Sequence, residues 1–205
     1  MDSIIFDLDG TLWDSADRVS EAWNQAVANI EGVSIRLTAD DIKGVMGLPA
    51  EEGARKLIPD LPPKLRAEIT KACFASESEY LSKYGGTLYP GVEEMLAQLV
   101  QRYKLFIVSN CQDGYIEAFF QYHQLGHYFT DYENPGRTGL SKGENIKLVM
   151  ERNGLTAPIY VGDTPGDRKA AAYAGIPFVY ARYGFGEVAD YDYAIEEPGG
   201  LLELF

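Results

Sequence analysis

Cysteine is scarce in this chain. Cys73 and Cys111 are the only two; they lie far apart, and neither sits in a metal-ligand spacing. That pattern excludes a disulfide framework and fits a reducing compartment, so a cytoplasmic location is expected. Positive charge is also short: 18 Lys and Arg stand against 31 Asp and Glu, a formal net charge of −13. Such a surplus repels phosphate-rich polymers and makes nucleic acid a poor partner. A small anion remains acceptable wherever positive charge gathers locally. Long apolar runs are missing, the longest resembling residues 105–108. A bilayer needs about 20 such residues, so no membrane partner is expected. Nothing reads as a secretory leader, because Ser3-Ile4-Ile5-Phe6 already has the character of a buried strand. Internal repeats and low-complexity tracts are absent too.

What is present is a pair of carboxylates. In "IIFDLDGTLWDS", Asp7 and Asp9 stand two residues apart at the end of an apolar run, just before Gly10. On a strand, residues i and i+2 point to one side, so both carboxylates are expected to face one space. Like charges about 4 Å apart repel by roughly 4 kcal/mol at an effective dielectric near 20. A nearby cation, or a proton on one of the two, must relieve that repulsion.

The apolar pattern alternates between strands and helices. Continuous runs at 3–6, 105–108, 159–161 and 178–180 suit buried parallel strands. Helical patterns at 91–101, 114–124, 143–152 and 165–174 separate the later ones. This order predicts an α/β layer fold with a mostly parallel sheet. Residues 14–86 break the rhythm. Ala16, Val19, Ala22, Trp23, Ala26, Val27 and Ile30 recur at helical spacing, and Thr38 with Asp41 resembles a capping box. Further helices are expected over 50–58 and 63–84, ended by Gly85-Gly86. The simplest account is an all-helical cap at 14–86, inserted after the first strand of an α/β core made of 1–13 and 87–205. Linkers near 11–15 and 84–89 would carry cap motion over the carboxyl edge of the sheet, where open α/β sheets bind ligands.

That edge collects the remaining polar candidates. Ser109 and Asn110 follow one strand, Asp163 and Asp167 follow another, and Lys142 opens a helix. Taken in this order, the chain resembles the haloacid dehalogenase superfamily of phosphohydrolases, and within it the phosphoglycolate-phosphatase-like members with a helical cap after the first motif. Asp7-Leu8-Asp9-Gly10-Thr11 matches the first motif, Ser109 the second, Lys142 the third, and Gly162-Asp163-Thr164-Pro165-Gly166-Asp167 the fourth. The re-entry segment "YPGVEEMLAQL" at 89–99 adds to the likeness, which spans nearly the whole chain. Single motifs of this length are weak; four in order are strong.

The resemblance implies a Rossmann-like parallel core and phosphoester hydrolysis. Asp7 would be the nucleophile that forms an aspartyl-phosphate, and Asp9 the general acid and then the base. Mg²⁺ would be held by Asp7, Asp163 and the Asp9 backbone carbonyl, with Asp167 in support. Gly10, Thr11, Ser109, Asn110 and Lys142 would hold the phosphate oxygens. The partner would be a small phosphorylated metabolite, and the chain a monomer or homodimer. Family members that displace halide lack an aspartate at the Asp9 position, since their leaving group needs no proton; its presence here favours phosphoesters. Gly143 departs from the pattern, which commonly has proline after the lysine.

Blander readings stand beside these. Asp163 and Asp167 could be a turn former and a helix cap, and Ser109 and Asn110 ordinary loop residues. Lys142 in the first turn of a helix runs against the helix dipole, which favours a functional reason for it. "HQLGH" at 123–127 imitates a zinc helix, but Gln124 replaces the needed glutamate and Gly126 breaks the helix, so surface or loop histidines are expected. Trp23 reads as cap core, Cys111 as packing near the site, and Arg18, Lys43, Arg55 and Lys56 as solvated charge. The segment "GVMGLP", 44–49, resembles a cap loop that faces the site and takes part in choosing the substrate. A phosphomutase is the alternative activity; a phospho-switch or an idle phosphate-binding protein is further off.

Overall fold

The computed structural model describes residues 1–205 except Asn29, Glu31, Gly32 and Ser34. Strand β1 (Ser3–Phe6) enters the core, and β2 (Trp13–Asp14) leaves it. Helices α1 (Ala16–Ala28), α2 (Ala39–Lys43), α3 (Ala50–Leu57) and α4 (Pro63–Tyr84) follow, and β3 (Thr87–Leu88) returns. The core continues with α5 (Val92–Leu99), β4 (Lys104–Val108), α6 (Tyr115–His123), β5 (Phe129–Glu133), α7 (Pro135–Thr138) and α8 (Lys142–Asn153). It closes with β6 (Pro158–Gly162), α9 (Pro165–Ala174), β7 (Phe178–Ala181), β8 (Tyr193–Ile195) and α10 (Leu201–Leu204).

The main sheet has the order β5-β4-β1-β6-β7-β8, and every pairing in it is parallel. β1 therefore lies inside, flanked by β4 and β6, which explains why its side chains are all buried. Successive residues pack on opposite faces. Ile4 and Phe6 join Leu105 and Ile107 in one apolar cluster, while Ile5 joins Phe106, Val108, Tyr160 and Phe178 in the other. The outer strands β5 and β8 were not expected. "FTDYE" mixes polar with apolar residues, and "YAI" is a three-residue stretch between acidic residues, so neither edge strand stands out in the pattern.

The linkers pair with each other. Trp13 opposes Leu88 and Asp14 opposes Thr87, so β2 and β3 form an antiparallel ribbon at the cap–core junction. Trp13 is fully buried and packs edge-on against Tyr115, Phe119 and His123. That corrects the reading of His123 as a surface or loop residue. It ends α6, half-buried in an aromatic cluster, and burial lowers its pKa. Gln124 (φ +59°), not Gly126, stops the helix. In the cap, Thr38 and Asp41 make the expected capping box. Helix α4 packs against α1 on one side and against α6 of the core on the other.

Candidate active site

The strand ends deliver their residues to one edge. The ladder carries Asp7 one step beyond β1, its N–H donating to the Val161 carbonyl at 2.8 Å. Asp9 lies past the strand, in a turn where Gly10 takes φ +81°. Neither Asp7 nor Asp9 lies within β1, so strand alternation does not by itself set where their carboxylates point. A Cβ at Gly10 would stand 2.2 Å from Asp163 Oδ2, so only glycine permits the approach.

Asp9 is held by groups the sequence reading did not single out. Its Oδ1 accepts from Ser15 Oγ at 2.5 Å and Tyr115 Oη at 2.8 Å. Burial pushes its pKa up to about 7; these hydrogen bonds oppose the rise and the neighbouring Asp7 charge adds to it. Asp9 can therefore hold a proton near neutrality, one of the two ways of relieving the repulsion between the carboxylates.

Lys142 reaches the site from the first turn of α8. Its Nζ donates to Asp7 Oδ1 at 2.9 Å and Asp167 Oδ1 at 2.6 Å, with all three groups buried. Burial pulls the ammonium's pKa down, yet the charges of Asp167 and Asp7 outweigh it and hold it well above the usual value. These partners answer the helix-dipole misfit. Gly143 also has a local reason: a Cβ there would meet the Tyr173 ring at 2.8 Å. Ser109 is buried beside Asp7. Asn110 turns its amide to the cap, Nδ2 donating to the Gly47 carbonyl at 2.9 Å. The segment 44–49 thus lies on the site, and Gly47 (φ +78°) abuts Thr164 of the core.

Asp167 carries both of its readings. Its Oδ2 closes a capping box on Thr164 and accepts from the Asp163 N–H, while its Oδ1 takes Lys142. Asp163 is held from the loop after β7, where the Phe185 N–H donates to Oδ2 at 2.7 Å. Gly184 has no room for a Cβ, which would stand 2.3 Å from the Asp163 Cβ. Tyr180 Oη on the Gly186 carbonyl and Tyr183 Oη on the Thr11 carbonyl pin that loop. The "GFG" spacing after an apolar strand was the legible sign of it.

Oxygens of Asp7, Asp163 and Asp167 converge within 4.8 Å of one another. Asp163 Oδ1 is buried and has no hydrogen-bond partner among the described residues. Burial and the neighbouring carboxylates raise the pKa values of Asp7 and Asp163 well above the usual range. A hard, all-oxygen donor set with one unsatisfied buried oxygen fits a divalent cation, which would restore both carboxylates to their charged forms. Thr11 Oγ1 is likewise buried and unpartnered beside the turn.

The site opens into a cavity of about 1200 Å³ between cap and core. Cys111 lines it, but burial pushes the thiol pKa well up, consistent with packing rather than reactivity. Trp23 also reaches the cavity, and its indole N–H donates to Glu77 of α4. It is core and cavity wall at once.

Comparison with known proteins agrees with this geometry. The chain is 30% identical to phosphoglycolate phosphatase of Aliivibrio fischeri over 194 residues, covering 89% of this chain and 84% of that one. It is 30% identical to phosphoglycolate phosphatase of Vibrio cholerae over 216 residues, covering 98% and 95%. A haloacid dehalogenase-like family hydrolase from Streptococcus pneumoniae superposes with a TM-score of 0.85 at 25% identity, covering 100% and 98% of the two chains. Residues 4–181 match the family model for haloacid dehalogenase-like hydrolases. The chain belongs to the haloacid dehalogenase-like hydrolase family.

Proposed function

We propose that this chain is a Mg²⁺-dependent phosphatase that hydrolyses a small phosphomonoester through an aspartyl-phosphate on Asp7. The observation that carries the reading is the division of labour between two buried carboxylates. Asp7 is gripped by Lys142. Asp9 has a pKa near 7 and hydrogen bonds that orient it. One group is placed to attack and the other to move a proton.

The Asp7 carboxylate attacks phosphorus, and the ester oxygen leaves with the proton of Asp9. The ionised Asp9 then takes a proton from water, which attacks the same phosphorus and releases phosphate and Asp7. Lys142, the Ser109 hydroxyl, and the backbone N–H groups around Gly10 and Thr11 supply positive potential for the transferring oxygens. Asp7, Asp163 and the Asp9 carbonyl would hold Mg²⁺, with Asp167 fixing Lys142 and the Asp163 backbone. When bound, Mg²⁺ offsets the negative charge of phosphate and carboxylates.

The names of the relatives make phosphoglycolate the first ester to try. The test is phosphate release from a panel of phosphomonoesters with Mg²⁺ or EDTA, beside Asp7→Asn. Mg²⁺-dependent release that vanishes in Asp7→Asn supports the reading. Folded protein that binds Mg²⁺ but releases phosphate from no ester overturns it; an aspartyl-phosphate that resists water would point to a phosphomutase.

A further inference from the structure

The cap wall of the cavity differs in character from the core wall. Val19, Trp23, Ile42, Met46, Leu57 and Phe74 line it with apolar surface. Among them stands one buried carboxylate, Glu77, 4% exposed. Its Oε1 accepts from Gln112 Nε2 at 3.2 Å and its Oε2 from the Trp23 indole, both neutral donors. No cation among the described residues pairs with it, and it lines the same cavity as Asp7 and Asp9, together with Gln112, which donates to it, and Tyr115, which donates to Asp9.

The cations among the described lining residues are committed or peripheral. Lys142 is held by Asp7 and Asp167, and Lys43 Nζ lies 2.8 Å from Asp14 Oδ2 and over the Phe185 ring. Lys169 is exposed on α9. In the cap, a leaving group carrying its own carboxylate would meet the Glu77 carboxylate and apolar surface, and the cations of the described lining other than the exposed Lys169 are already held by carboxylates. A buried carboxylate with only neutral donors can instead accept a further hydrogen bond.

Resting on the phosphatase reading, we propose that the enzyme acts on phosphomonoesters whose alcohol part bears a hydroxyl or ammonium donor and no second anionic group, with Glu77 receiving that donor. Phosphorylated acids, the substrate class named for its relatives, are then poor substrates.

Three two-carbon esters of nearly equal size separate the possibilities: phosphoethanolamine, hydroxyethyl phosphate and phosphoglycolate, with p-nitrophenyl phosphate reporting the hydrolytic machinery. In the wild type at pH 8, where Glu77 carries its charge, kcat/KM for the first two should exceed that for phosphoglycolate by about tenfold or more, as like-charge juxtaposition predicts. Which of the two ranks first tells an ammonium from a hydroxyl. Glycerol phosphate should likewise outrank phosphoglycerate. Glu77→Gln should narrow the ammonium-to-carboxylate ratio about tenfold, and Glu77→Met, the second variant, should do the same. Phosphoglycolate equal to or better than the others overturns the proposal while leaving the phosphatase reading intact. An unchanged ratio in both variants overturns the role of Glu77. Release from no ester, p-nitrophenyl phosphate included, overturns the phosphatase reading and this one with it.

Discussion

The phenol of Tyr115, on the first turn of α6, stands 2.8 Å from Oδ1 of Asp9, although the two residues are over a hundred positions apart in the chain. It shares that oxygen with Ser15, whose hydroxyl is also 2.8 Å from the phenol. Both donors favour the charged carboxylate, so they hold down a pKa that burial raises. Tyr115→Phe should therefore move the alkaline limb of the kcat/KM profile, expected near pH 7, to higher pH. It should also lower kcat by about tenfold through lost orientation. The check is a pH–rate profile with p-nitrophenyl phosphate; a limb that stays put removes Tyr115 from the control of Asp9.

Asp7→Asn should lower phosphate release by about a thousandfold or more, because a neutral amide is a poor nucleophile. The fold should survive, since the substitution keeps volume and removes a buried charge whose pKa burial already raises. Circular dichroism with single-turnover phosphate release tests both halves.

Mg²⁺ should raise the melting temperature of the wild type, because binding to the folded state alone contributes about 2.7 kcal/mol at one hundred times Kd. Asp163→Asn should abolish that rise, since it takes a negative charge out of the buried carboxylate cluster and replaces one of its oxygens with an amide nitrogen. Thermal melts with and without Mg²⁺ decide it.

Gly184→Ala should weaken Mg²⁺ about 10- to 100-fold with little loss of secondary structure, the usual effect of disturbing a group that orients a ligand. The added Cβ would displace the loop whose Phe185 N–H positions Asp163. Activity titrated against Mg²⁺ reads the shift.

Glu77 makes a stability prediction as well. Burial raises its pKa from 4.5 to about 7, so between those values the folded state binds more protons than the unfolded. Its contribution is fully present below pH 4.5 and is lost as pH rises through 7, a change on the order of 3 kcal/mol. Glu77→Gln should therefore gain melting temperature over the wild type at pH 8 and lose that advantage at pH 5. Paired melts at the two pH values check the sign.

The layered fold and the helical cap were legible in the chain's apolar pattern. Continuous apolar runs mark strands buried on both faces, and helical periodicity marks cap helices such as α1 and α4, because both patterns are local consequences of burial. The sequence also named Asp7, Asp9, Lys142 and Asp163, whose motifs carry their spacing along the chain. Tertiary structure alone decided what holds those groups. Ser15 and Tyr115 meet on Asp9, and Phe185 on Asp163, through contacts between distant segments that leave no local period. Edge strands β5 and β8 were hidden for a related reason: most of their residues are partly buried or exposed, and their apolar content is short or broken by polar residues. Glu77 is the clearest case. In sequence it is one glutamate on a long helix, and only the packing of α4 against α1 and α6 makes it a buried carboxylate on the cavity wall.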